Sequence, residues 1–192
     1  EGEKLGSFWG YTFAGVWQED DVNAPFVDAN GQTNGKTNGE VYKVKPGNSK
    51  YVDVNKDGVY NDADQGIIGC GQPTFNWGWN NTFNYKNFDF SFFVVGFHGF
   101  DIYNATHQMG YNLIKSQQMA GVTPMRELLN RWTPTNTNTD IPGFVKGGTE
   151  NKDFFSTRFV ENGSFIKMKS ITLGYTLPEA TCRSLGINNL RV

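Results

Sequence analysis

The sequence predicts an all-β protein built from antiparallel strands, and three stretches carry this prediction. Residues 7–17, 75–97 and 158–177 alternate their side chains with a period of two, which is typical of strands with two different faces. Long polar segments rich in Asn, Gly and Asp separate them. A chain of 192 residues is long enough to bury a core, as one domain or two small ones.

Composition excludes several classes of function. The net charge of −2 comes from 17 basic and 19 acidic residues without long runs, which argues against a nucleic-acid partner. Aromatic residues make up 15% of the chain and charged residues only 19%, whereas a soluble domain carries about 25% charged residues. No window approaches the roughly 20 apolar residues of a transmembrane helix. The chain shows no initiator Met and no signal peptide, and both ends are interpreted as cut.

The first predicted strand, residues 7–17, places aromatic side chains on one face, namely Trp9, Tyr11, Phe13 and Trp17. Residues 18–72 then form a long polar region with turn signals at Asn30-Gly31, Asn34-Gly35 and Asn38-Gly39. This region is too long for an ordinary connection and shows little periodicity. We therefore expect it to be either functional or disordered.

The clearest local signal is a β-hairpin of residues 75–85 and 88–97, joined at Lys86-Asn87. One face of its first strand carries Phe75, Trp77, Trp79, Phe83 and Tyr85, and the other is largely polar. Strands of this length with one apolar face suit a transmembrane barrel, and they also suit a soluble β-sandwich. By itself the hairpin favours the sandwich, because the barrel pattern is weak in any single strand.

The rest of the chain reads as a second long segment followed by a return to strand. Residues 99–157 contain a short helix predicted between Met109 and Leu129. In the strand predicted over residues 158–177, the apolar side chains change from even positions, such as Ile166 and Met168, to odd positions, such as Ile171. A bulge near Lys169-Ser170 would keep them all on one face. Residues 178–187 form a compact connection, and residues 188–192 begin another strand.

Residues 53–64, DVNKDGVYNDAD, follow the spacing of an EF-hand type of calcium loop, with Gly58 at the sixth position. A hard cation prefers six or seven converging oxygens. The predicted calcium ligands are Asp53, Asn55, Asp57, the backbone carbonyl of Val59, Asn61 and Asp64. Asp64 stands where an EF-hand has Glu, and neither flank reads as a helix. Calcium is favoured over a loop that Asx turns stabilise without metal.

Other candidate sites have little support. His98 and His107 lack carboxylate or cysteine partners at ligand spacing, so a structural or exposed role is favoured. The consecutive acids from Glu19 to Asp21 do not predict a glycosidase pair, and the chain has no GxSxG elbow, so we expect no enzyme. Cys70 and Cys182 are too few for a disulfide framework or a zinc site. Loop aromatics either stack on sugar rings or pack against protein, and this question stays open for Phe100, Tyr103, Tyr111 and Trp132.

Several motifs coincide in order and spacing. They are DVNKDGVYNDAD at 53–64, NYKNFD at 84–89, GFHGFDIYN at 96–104, RWTP at 131–134 and RFVENGSFIKMKSITLGY at 158–175. Together they resemble the C-terminal barrel region of SusC/RagA-type TonB-linked outer-membrane transporters of Bacteroidetes. The resemblance extends over nearly the whole chain.

The resemblance implies a piece of a 22-stranded transmembrane β-barrel with up-and-down strands and a plug domain. Such transporters import glycans or peptides across the outer membrane, driven by the TonB complex, with a SusD-like lipoprotein closing over the mouth. The region that contacts TonB would be N-terminal to this chain. Residues 18–72 and 99–157 would be extracellular loops, and 86–87 and 178–187 periplasmic turns. The aromatic face of the hairpin would contact lipid, and the two cysteines would lie at opposite ends of the barrel, unpaired.

Two alternatives belong to other classes. One is a secreted soluble β-sandwich that binds carbohydrate and is stiffened by calcium. The other is a dockerin-type calcium module, which is weaker because such modules carry two copies of the loop. Solubility in water distinguishes the sandwich from the barrel, since a sandwich buries the aromatic residues that a barrel exposes to lipid.

Overall fold

The structure is a computed structural model, and it describes residues 2–111, 125–143 and 154–192. These residues form two compact units, one of Glu1–Gly71 with Ile102–Glu161 and one of Gln72–Asp101 with Asn162–Val192. Most of the helix predicted between Met109 and Leu129 lies outside the described residues. The start of the predicted range falls in an observed helix at Ala105–Tyr111, and its end falls in a 3-10 helix at Arg126–Asn130.

Three antiparallel strand pairs build the first unit. β1 (Ser7–Tyr11) pairs with β6 (Gln65–Cys70), β2 (Phe13–Val16) with β5 (Ser49–Tyr51), and β3 (Pro25–Val27) with β4 (Thr33–Thr37). The single strand predicted over residues 7–17 is therefore two strands. They separate at Thr12, whose carbonyl accepts a hydrogen bond from the Val52 amide at 2.9 Å.

The polar region of residues 18–72 is ordered, and it contains two helices besides its strands. These are α1 (Glu19–Asn23) and α2 (Asn38–Tyr42), with a 3-10 turn at Asp62–Asp64. A capping box begins α2, because Thr37 and Glu40 each bind the other's backbone amide. Asn38-Gly39, read from the sequence as a turn, is instead the first turn of this helix. Lys43 ends α2 in the left-handed conformation with φ 54°.

Aromatic side chains form the core of the first unit. Trp17, Tyr51 and Phe159 are at most 4% exposed. The ring of Tyr11 stacks on Phe154 with centroids 4.4 Å apart and tilts against Tyr51 at 5.8 Å. Burying rings of this size contributes most of the stabilisation of a small core.

The second unit is a three-stranded antiparallel sheet in the order β11–β8–β7. Its strands are β7 (Phe75–Tyr85), β8 (Phe88–His98) and β11 (Phe165–Tyr175), each of 11 residues. The predicted hairpin is confirmed, with every residue of β7 paired and Lys86 at φ 53° in the turn. The predicted bulge is confirmed as well, since the register shifts between Met168 and Ser170.

The remaining elements are short. β9 (Asp101–Tyr103) pairs with β10 (Val160–Asn162), and α3 is the helix Ala105–Tyr111. The connection predicted after β11 contains α4 (Glu179–Ser184). The strand predicted over residues 188–192 is limited to a bridge between Thr176 and Arg191, with hydrogen bonds from Tyr175 and Leu177. Cys70 is partly exposed and Cys182 is buried, and no disulfide joins them.

Candidate functional site

One face of the three-stranded sheet is apolar on all three strands. Directly opposed residues of antiparallel strands share a face, and the register places apolar partners together, as in Trp79 with Val94 and Met168. Most of these side chains are exposed by 36% to 70%: Phe75, Trp77, Trp79, Phe83, Tyr85, Phe88, Ile166, Met168, Ile171 and Leu173. We call this set the apolar face. A contiguous exposed surface of this kind requires an apolar environment.

The opposite face of the sheet is polar at the end near the Lys86-Asn87 turn. It carries Thr82, Ser91 and Thr172 in one cross-strand row, because these residues oppose one another in the register. In the row nearer the turn, Asp89 accepts two hydrogen bonds from the Arg191 guanidinium in a bidentate ion pair. Towards the other end this face is mixed, because Phe93, Val95 and Phe97 of β8 lie opposite Asn80, Lys167 and Asn76.

The DxNxDG loop, residues 53–64, folds as a series of tight turns in the first unit. Gly58 has φ 82° and donates its backbone N–H to Asp53 Oδ2 at 2.8 Å. An added Cβ at Gly58 would approach Val41 Cγ1 to 2.2 Å, so the loop also packs against α2. Both the conformation and the space at this position therefore require glycine.

Three predicted ligands act as Asx turns, in which a side-chain oxygen accepts the amide two residues further on. These bonds join Asn55 Oδ1 to the Asp57 amide at 3.1 Å, Asp57 Oδ1 to the Val59 amide at 2.8 Å, and Asn61 Oδ1 to the Ala63 amide at 2.8 Å. The Val59 carbonyl accepts from Asn61 Nδ2 at 3.2 Å. Amide and carboxylate oxygens keep a further lone pair in such bonds, so the turns and a cation are compatible.

The acids at the two ends of the loop, Asp53 and Asp64, accept hydrogen bonds from its backbone amides. Asp64 is 2% exposed and accepts the amides of Val54 at 2.9 Å and Asn61 at 3.0 Å. Asp53 Oδ2 accepts from Tyr42 and Gly58, while its Oδ1 is buried without a hydrogen-bond partner. A buried carboxylate oxygen without a donor is unfavourable unless a cation or water binds it.

Hydrogen bonds and burial shift the pKa values of side chains around this loop. The Val59 amide, and then Asn55 and Asn61, lower the pKa of the Asp57 carboxyl, which favours its charged form. Burial raises the pKa of the Tyr60 hydroxyl to about 12, and burial with the hydrogen bond to Asp53 raises that of Tyr42 further. Both phenols therefore stay protonated at neutral pH. Among the described residues, no three His, Cys, Asp or Glu side chains converge as a metal cluster.

Comparison with known proteins shows which receptors the chain resembles. No family model matches the chain. The chain is 33% identical over its whole length to TonB-dependent receptor P3 of Formosa agariphila and 30% identical to TonB-dependent receptor P26 of the same organism. It is 27% identical over 69% of its length to the TonB-dependent receptor SusC of Bacteroides thetaiotaomicron. The predicted resemblance to SusC/RagA-type TonB-dependent receptors is therefore confirmed.

Solved structures agree with this assignment at the level of the fold. The RagAB peptide transporter matches 96% of the chain with a TM-score of 0.61 and 20% identity, and the RagAB peptide importer in the open-open state matches with a TM-score of 0.63. The all-β antiparallel class predicted for this chain is thus confirmed. The chain covers 17% and 18% of the length of receptors P3 and P26, about a sixth of each. These relatives carry the names of receptors and transporters rather than enzymes.

The structure also places the remaining candidate residues. Tyr103 stacks on Phe155 at 4.2 Å, Phe100 contacts Phe165 edge-on at 6.3 Å, and the Trp132 indole N–H donates to Gln18 Oε1 at 2.9 Å. These contacts favour packing over sugar stacking, whereas the side chain of Tyr111 lies outside the described residues. His98 stacks on Phe75, and His107 lies 3.5 Å from Glu161.

Sequence reasoning missed Tyr42 as a partner of the loop. Its hydroxyl donates to Asp53 Oδ2 at 2.8 Å from the last turn of α2. The Thr37-x-x-Glu40 capping box in the sequence could have predicted the helix that positions Tyr42. No helix in the described part of the chain is long and apolar enough to cross a membrane.

Proposed function

We propose that this chain forms part of the wall of an outer-membrane β-barrel that imports nutrients in a TonB-dependent manner. The observation that carries the proposal is the exposed apolar face. A strand of 11 residues is about 36 Å long, and at a tilt of about 45° it spans the roughly 25 Å apolar band of a bilayer. Lipid would cover this face, and the polar residues beyond it would line the lumen.

The number of strands and the topology belong to the same proposal. A barrel of 22 strands would place the two-residue turn at Lys86-Asn87 and the connection at 178–187 in the periplasm. Residues 18–72 and 99–157 would lie outside the cell. This assignment follows the rule that periplasmic turns are short and extracellular loops long.

Substrate and partners are proposed from the relatives. Import of a glycan or oligosaccharide, or of a peptide, would proceed with a SusD-like lipoprotein on the outside and the TonB complex on the inside. The name of the RagAB peptide transporter supports the peptide class, whereas the glycan class rests on the resemblance to SusC-type transporters stated above. Neither selects the substrate of this chain. The alternative, a secreted carbohydrate-binding sandwich, would bury the apolar face, and the exposure of that face does not favour it.

Cell fractionation followed by protease shaving of intact cells tests the proposed location. We expect the receptor that contains this chain in the outer-membrane fraction, with cleavage inside residues 18–72 or 99–157 and none at Lys86-Asn87. Uptake of candidate oligosaccharides and peptides by wild-type and deletion strains then tests import. Recovery of the receptor in the soluble secreted fraction would contradict the proposal.

We also propose that the DxNxDG loop binds calcium, which would stiffen the loop rather than take part in chemistry. The buried, unpaired Asp53 Oδ1 supports this most directly. Asn55, Asp57, Asn61, Asp64 and the Val59 carbonyl would supply the other oxygens. Calcium would provide a positive charge at the centre of the turn, and the residues themselves would keep the Asx-turn geometry described above.

Calcium is expected to raise the thermal stability of the detergent-purified receptor, and chelation to reverse the increase, because the ion binds the folded state only. At a free calcium concentration 100 times the dissociation constant, the free energy of unfolding should rise by about 2.7 kcal/mol. Asp53→Asn should remove most of it, measured by thermal unfolding with and without calcium. Asp62→Asn is the control, since Asp62 bonds Gln65 and is not a predicted ligand. Equal calcium responses in both variants would exclude the site.

A further inference from the structure

A cavity of about 260 Å³ lies inside the first unit, beside the DxNxDG loop. Val41 and Val44, from α2 and the residues that follow it, form one side, and Gly58 and Val59 of the loop form another. Tyr51 of β5 also lines the cavity and is 4% exposed. An engineered cavity of about 150 Å³ admits benzene, so this cavity has room for a ring with substituents.

Aromatic rings build a large part of the wall and hold one another in place. Tyr42 and Tyr60 stack with their centroids 5.2 Å apart. Tyr51 meets Tyr60 edge-on at 5.6 Å and Phe154 edge-on at 5.2 Å. Rings with several such contacts do not collapse easily into a neighbouring space, because each rotation would break ring contacts worth about 0.5–1.5 kcal/mol.

Two phenolic hydroxyls at the wall retain opposite hydrogen-bonding capacity. The Tyr42 hydroxyl donates its proton to Asp53, which leaves its oxygen able to accept a bond. The Tyr60 hydroxyl accepts the Tyr51 amide at 3.3 Å, which leaves its own proton able to donate one. The raised pKa of Tyr60 keeps that proton in place at neutral pH.

We infer that this cavity binds a single carbohydrate ring, as the terminal sugar of an oligosaccharide. A pyranose presents apolar C–H faces to aromatic and aliphatic walls, and its neighbouring hydroxyls can donate to Tyr42 and accept from Tyr60. A purely aromatic ring of the same size would leave the acceptor position of Tyr42 and the proton of Tyr60 without a partner, so the two phenols favour a ligand that carries hydroxyl groups. The choice of an oligosaccharide as the source rests on the import function proposed above.

The test measures binding of four methyl glycosides, those of glucose, galactose, mannose and xylose, to the detergent-purified receptor by saturation-transfer NMR. Val59→Phe narrows the cavity and should lower the affinity for the best-bound glycoside at least tenfold. Val54→Phe is the matched control, because Val54 is a similarly exposed valine of the same loop that does not line the cavity, and it should change affinity less than twofold. Tyr60→Phe keeps the ring, removes the donor and should weaken binding about three- to tenfold.

Three outcomes would overturn the inference. They are no binding by any glycoside, equal binding by the two phenylalanine variants at Val59 and Val54, and preferential binding of the probe N-acetylphenylalanine amide. Oligosaccharide uptake by cells separates this inference from the proposed function. If cells with the wild-type receptor take up oligosaccharide and any of these three outcomes is observed, the cavity is rejected as a sugar site. The proposal of import is then unaffected. Absence of uptake in those cells rejects import itself.

Discussion

Ile171→Arg is expected to lower the free energy of unfolding of the receptor by about 2–4 kcal/mol, because the proposed barrel would place this charge near the centre of its lipid-facing surface. Ile171 lies near the middle of β11, opposite Phe92 on the apolar face, and is 62% exposed. In a water-soluble protein the same exposed position would change stability by no more than about 0.5 kcal/mol. Guanidinium unfolding in lipid vesicles, followed by tryptophan fluorescence, measures the difference.

Thr172→Arg provides the matched control for this prediction. Thr172 is the next residue of β11, is also exposed, and pairs with Ser91 on the opposite, polar face. In the proposed barrel an arginine there would extend into the lumen, so we expect a change below about 0.5 kcal/mol. Equal effects of Ile171→Arg and Thr172→Arg would contradict the assignment of the apolar face to lipid.

Gly10→Ala is expected to destabilise the first unit by about 1–3 kcal/mol through overpacking. A Cβ at Gly10 would lie 2.5 Å from the backbone oxygen of Phe155, and that oxygen accepts the Tyr11 amide at 2.9 Å. The strand or the segment of Phe155 must therefore move, and the hydrogen bond between them lengthens. Thermal unfolding and limited proteolysis of the purified receptor measure the loss.

Gly66→Ala is a direct control, because Gly66 is the cross-strand partner of Gly10 in the β1–β6 pair. An added Cβ at Gly66 meets nothing within 4 Å. Since alanine also restricts the unfolded chain, this substitution should be neutral or stabilise by up to about 1 kcal/mol. A comparable loss in both variants would mean that strand flexibility, rather than the approach of Phe155, requires glycine at position 10.

Local signals explain which parts of the fold the sequence predicted. The hairpin of β7 and β8 was predictable because two alternating strands flank a two-residue turn and pair with each other. The bulge between Met168 and Ser170 was predictable for the same reason, since a change of parity within one strand is visible in the sequence alone. Both features depend on neighbouring residues.

The first unit was less predictable because its pairings join residues that are far apart. β1 pairs with β6 at a separation of more than 50 residues, as in Tyr11 with Gln65, so no local pattern indicates the partner. Such pairings also divided the strand predicted at residues 7–17. Thr12 lies where the chain leaves one partner for another, and alternation continues through that point unchanged.

The same distinction holds for the candidate sites. The order of side chains alone determined the apolar face and the positions of oxygen in the DxNxDG loop, because period-two alternation and the spacing around Gly58 are properties of consecutive residues. Only the tertiary structure decided that Tyr42 binds Asp53, that Asp53 Oδ1 stays buried and unpaired, and that a cavity lies beside the loop. These features arise where α2, β5 and the loop meet. Long-range packing brings these segments together, and the spacing of neighbouring residues does not indicate such contacts.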